Sequence, residues 1–127
     1  MNIARIIVAV VGIFLPYLVR LPRGLDWAGQ YTNAGFFGFI FFGAFNAIAW
    51  GSIIGVSYLY RRVISMLFPA VFGFGFLGWA HYSLDLRADA QAAIALVFIP
   101  ILSLVFVVAG GLFGFVVDRL LRRHDAA

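Results

Sequence analysis

The stretch GWAHYSLDLRAD, Gly78 to Asp89, is this sequence's nearest approach to a reactive residue set. His81 and Asp85 stand four apart, the spacing at which side chains meet on a continuing helix, and the carboxylate would then favour the imidazolium. Such a pair could sense pH on the face it borders. With Ser83 as nucleophile and Asp89 as a second carboxylate, it would outline acid–base chemistry. The simpler expectation is an interfacial histidine with a polar neighbour, and Asp89 as the N-cap of the helix that follows.

The second polar landmark is Asn46, alone among phenylalanines and glycines in GFFGFIFFGAFNAIAWGSIIG. An amide left unpaired in an apolar medium costs several kcal/mol, so it has to find partners. Proline leaves the carbonyl four residues before it without a helical donor. Pro16, Pro69 and Pro100 therefore release the carbonyls of Gly12, Ser65 and Leu96, and Ser103 offers a hydroxyl at similar depth. The expectation is a buried polar link from Asn46 to Ser103 or to one of these carbonyls. The alternative is that Asn46 lines a polar pathway with Ser52, Ser57, Ser65 and Ser103, although Ser52 points away from Asn46 on a helical wheel.

Small residues supply the third pattern. Gly43, Ala47, Gly51 and Gly55 recur every four residues, and Gly110 and Gly114 repeat that spacing near the C-terminus. In lipid, helices associate through close backbone approach, so this is a candidate helix-contact groove.

The elements that carry these residues follow from composition. Of 127 residues 65% are hydrophobic and 11% charged, too few polar groups to cover a water-soluble domain. A helix crossing a hydrocarbon core about 30 Å thick needs roughly 20 apolar residues. Four runs qualify, at residues 3–19, 34–58, 63–82 and 90–117, and they are too long and too unalternating for barrel strands. The sequence thus predicts an all-α, antiparallel four-helix transmembrane bundle forming one membrane domain. Its three later helices are expected to pack as consecutive neighbours, with the first on their outside. Residues 20–33 read as a loop on the outer surface containing a short interfacial helix. The basic, apolar start resembles a signal peptide but lacks a small-x-small cleavage site, so the first helix is expected to be retained.

Four crossings place both termini on one side. Arg5, Arg61, Arg62, Arg119, Arg122 and Arg123 then share a face, opposite Arg20, Arg23 and Arg87, and six against three puts the termini in the cytoplasm. The net charge of +4 is thus a topology signal rather than a nucleic-acid footprint. Abundant Ala and Gly, with arginine but no lysine, suggest a GC-rich bacterial genome and hence an inner-membrane protein. There is no cysteine, and no run carries a central Asp, Glu, Lys, Arg or His. That argues against metal, haem and buried-carboxylate proton chemistry. No cofactor or metal is expected, and the chain is expected to be non-enzymatic.

The expected partners are the lipid bilayer and a membrane protein or a second copy. The expected role is protein–protein contact within the bilayer, as an accessory subunit or an immunity-type protein against a membrane-active toxin. A homo-oligomeric channel or small-solute transporter, with Asn46 facing a pore, is the competing expectation.

Overall fold

A computed structural model describes residues 1–33, 35–88 and 91–127. Five α-helices order the chain: α1 (Asn2–Leu18), α2 (Leu25–Thr32), α3 (Gly35–Ser57), α4 (Leu67–Ser83) and α5 (Ala95–Ala126). Short 3-10 turns at Leu21–Arg23, Val63–Met66 and Ala92–Ile94 introduce α2, α4 and α5. Together with these turns, α1, α3, α4 and α5 give four segments long and apolar enough to cross a membrane. Their outward faces stay apolar, with Phe37 85% and Val105 67% exposed. A surface of this kind suits acyl chains rather than water.

Helix α4 packs most extensively on α5, α3 packs on both α5 and α1, and α1 closes the circuit against α4. This corrects two expectations. The first helix is a full member of the ring rather than an outrigger, and α3 and α4, consecutive in sequence, lie largely across the diagonal from each other. Glycine explains both differences. A Cβ on Gly12 of α1 would run into the Trp50 side chain of α3, so that crossing needs a bare backbone. On α5, a Cβ on Gly110 would come within 2.5 Å of the Phe68 carbonyl oxygen, and one on Gly114 within 2.5 Å of that of Ser65. Gly73 of α4 is filled in turn by Val107 and Ile53. Around these contacts Phe76 stacks on Phe106 with ring centres 4.5 Å apart, and Phe72 lies against Phe113 at 5.7 Å. Close backbone approach and aromatic stacking hold α4 to α5 where the hydrophobic effect offers little.

The interior has two apolar clusters. Val8, Ile53, Tyr60, Met66 and Val107 fill the half near the chain termini. Ala49, Leu77, Ala80 and Ile99 fill the other half. Helix α5 runs well past Val117 as a 32-residue helix, because DRLLRRHDA contains neither glycine nor proline to stop it.

Candidate functional site

The polar groups gather in two places, one at each end of the bundle, with Asn46 between them. At the first end α2 folds over the bundle. Arg20, at the exit of α1, is wholly buried. Its guanidinium donates from Nε to the Trp27 carbonyl at 2.8 Å, and from one terminal nitrogen to the His81 and Leu84 carbonyls at 2.7 and 2.6 Å. The other terminal nitrogen donates to Gln30 Oε1 at 2.9 Å. The same group lies over the rings of Tyr31 and Trp27, 4.0 and 4.6 Å from their centres. The carbonyls at the C-terminal end of α4 are the negative pole of a helix dipole, so a cation placed there is stabilised. Trp27 Nε1 donates to the Tyr82 carbonyl at 2.8 Å, so α2 is fastened to the end of α4. Residues 20–33 therefore form a docked cap containing a short helix, more deeply engaged than the surface loop expected.

Below Arg20, Tyr31 is 2% exposed and its hydroxyl meets His81 Nδ1 at 2.8 Å. Burial is the main cause that raises the Tyr31 phenol well above its ordinary value. The anticipated pairing of His81 with Asp85 does not form. Helix α4 ends at Ser83 and Leu84 turns to an extended backbone, which carries Asp85 out of helical register while His81 turns inward. Asp85 instead accepts from the Arg87 amide and from Gln30 Nε2, both at 3.0 Å. These hydrogen bonds, the backbone one foremost, hold its carboxyl below the usual range. Asp89 lies outside the described residues.

Asn46 is 3% exposed and donates from Nδ2 to the Gly12 carbonyl at 2.5 Å, the acceptor released by Pro16. Ser103 takes no part in this link. Its hydroxyl donates to the Pro100 carbonyl within its own helix. Ser52 and Ser57 likewise bond back to Ala49 and Ile54 on α3.

The second polar group centres on Asp118, which is completely buried on α5. Its Oδ1 accepts from the Arg61 and Arg62 amides at 3.0 and 2.8 Å and from Ser65 Oγ at 3.2 Å. Oδ2 faces Arg122 Nε at 3.1 Å as an ion pair without aligned hydrogen-bond geometry. Arg62 also pairs with Asp125. Tyr60 donates to the Gly111 carbonyl at 2.8 Å, and burial first, then the Asp118 charge, push its phenol up to about 12. At the same end Arg5 donates to Ser57 Oγ at 2.8 Å and covers the Tyr58 ring.

The small residues divide. Gly110 is pressed against α4, and Gly114 against Ser65 of the 3-10 turn before it and against Tyr60, whereas a Cβ on Gly43, Gly51 or Gly55 would meet nothing within 4 Å. The side of α3 turned inward carries Asn46, Ala49, Ile53 and Ser57. Gly51 and Gly55 therefore do not form the seam that joins α3 to its own bundle, while Gly43 borders an internal cavity. Among the described residues no group of three or more His, Cys, Asp or Glu has metal-site geometry. Sequence reasoning missed Arg20 and Asp118 as organising residues. Both stand beside the ends of apolar runs, where a charge reads equally well as a solvated anchor, although Asp118 also continues the four-residue spacing of Gly110 and Gly114. No family model, curated protein or solved structure matches this chain.

Proposed function

We propose that this is a multi-pass protein of the bacterial inner membrane, with cytoplasmic termini, that acts through helix contact in the bilayer. Its partner is another membrane protein, as for an accessory subunit or an immunity-type protein that blocks a membrane-active toxin. The observation that carries this reading is the uncovered small-residue side of α3 at Gly51 and Gly55. A bare backbone four residues apart along a helix lets a second helix approach closely, and the chain's own helices leave it uncovered. The six-to-three arginine distribution supports the orientation.

A homo-oligomeric channel or small-solute transporter, with Asn46 facing the pore, gains less support. Asn46 is tied to Gly12, and the interior between it and the chain termini is closed by Val8, Ile53, Met66 and Val107. The test is co-purification in mild detergent of the wild type and of Gly51→Leu. The expected result is a protein partner that comes along with the wild type and is lost with an inserted, folded variant. An unchanged set of companions would overturn the contact role, and solute flux from purified wild type in liposomes, lost in Asn46→Leu, would put a channel in its place.

A further inference from the structure

Under the α2 cap, enclosed by α1, α3, α4 and the start of α5, lies a small cavity of about 10 Å³ whose lining includes Pro16, Tyr17, Tyr31, Gly43, Asn46 and His81. Three of its bordering side chains carry a buried polar atom with no hydrogen-bond partner among the described residues: Tyr17 Oη, Asn46 Oδ1 and His81 Nε2. Asn46 and His81 are each 3% exposed. Three orphaned polar atoms around one cavity in an otherwise apolar bundle are costly unless a guest satisfies them.

The chemistry of the guest follows from the protons. The Gly12 carbonyl accepts from Asn46 Nδ2, which fixes the amide orientation and leaves Oδ1 as an acceptor toward the cavity. Tyr31 has one hydroxyl proton. The guanidinium lying over its ring is a donor only, so a Tyr31 hydroxyl that uses its proton within the protein gives it to His81 Nδ1. His81 is then the tautomer with hydrogen on Nε2, and it presents a donor. The cavity thus offers one N–H, one C=O and one phenol hydroxyl able to act either way. Among the described residues no charged side chain borders it to hold an ion, and its volume admits a single heavy atom.

We propose that this cavity is a binding site for one water molecule, which accepts from His81 Nε2–H, donates to Asn46 Oδ1 and completes its bonding with Tyr17 Oη. Three partners is the usual number for a buried water. The water joins α1, α3 and α4 at one point, and it continues the polar chain from Arg20 and Tyr31 through His81 to Asn46 and Gly12. His81 therefore works as an internal strut, set in its tautomer by Tyr31.

Water-edited solid-state NMR of the full chain, labelled with ¹⁵N-histidine and ¹⁵N-asparagine in lipid bilayers, tests this. His124→Gln assigns the two histidines. The expected spectrum has His81 protonated on Nε2 and bare on Nδ1, with polarisation passing from water to the Nε2 proton. In Asn46→Leu, which fills the cavity and removes an acceptor, that transfer is lost while the Nε2 proton stays. A wild-type Nε2 proton that receives nothing from water, a proton on Nδ1 instead, or transfer that survives in folded Asn46→Leu would each overturn the proposal. The wild-type spectrum decides alone where the variant does not fold.

Discussion

Replacing Arg20 by methionine keeps an unbranched apolar stem and removes the guanidinium with everything it does. Four charge-assisted hydrogen bonds disappear, and three backbone carbonyls together with Gln30 Oε1 are left facing a thioether. Each bond to a charged group contributes about 1.5–3 kcal/mol, so the gross loss is several times that. Against it stands the desolvation of the guanidinium, which itself costs several kcal/mol and is relieved by the substitution. Deleting one member of a buried charged network generally leaves a net loss of about 3–5 kcal/mol. Because the Trp27, Leu84 and Gln30 acceptors are only partly buried, water recovers some of their bonding and the lower end applies. Arg20→Met should therefore lose about 3 kcal/mol, a shift in the unfolding equilibrium of roughly a hundredfold. Arg20→Lys keeps the charge but forfeits the planar fork and the stacking on Tyr31 and Trp27, and should lose about half as much. Reversible unfolding by SDS in mixed micelles, followed through tryptophan fluorescence, measures both. A methionine variant within about 0.5 kcal/mol of wild type, the range of ordinary surface changes, would refute the claim that Arg20 anchors the cap.

Further outcomes are expected. Gly114→Ala drives a methyl toward the Ser65 carbonyl and should destabilise by about 1–3 kcal/mol, whereas Gly55→Ala meets open space and should be neutral or slightly stabilising in the same titration. Asn46→Leu should lose about 0.6 kcal/mol and no more than about 2, since in-membrane links of this kind are weak. The Tyr60 phenol is raised in the folded state, so its contribution is fully present below pH 10 and is lost as pH rises toward about 12. Tyr60→Phe should remove its share of that alkaline loss, as read from unfolding titrations between pH 9 and about 12. The chain has no cysteine, so Arg61→Cys and Arg87→Cys can be labelled in intact cells without background, and only Arg87→Cys should react with an impermeant reagent.

The long apolar runs were legible because hydrocarbon thickness imposes their length whatever the neighbours are. Pairing was less legible. Spacing aligns Gly43, Ala47, Gly51 and Gly55 on one side of α3 but does not say whether that side turns inward, and the inward turn goes to Asn46, Ala49, Ile53 and Ser57. Sequence narrowed the acceptor for Asn46 to four groups, among which the Gly12 carbonyl is the one used, since α1 lies beside α3. His81 and Asp85 misled because helical spacing holds only while the helix lasts, and α4 stops between them. Arg20 and Asp118 were hidden for a different reason. Their main partners are backbone carbonyls and amides, which every sequence supplies and none displays.

The clasp of Asp118 on the Arg61 and Arg62 amides also dictates an order of assembly. A ribosome delivers the turn after α3 more than fifty residues before the carboxylate that satisfies it, so until that point the two amides lack this partner. Only when the final helix arrives does the bend gain this acceptor. The C-terminal helix is a keystone in this sense, and a chain truncated before residue 118 should insert its earlier helices yet leave them unlocked.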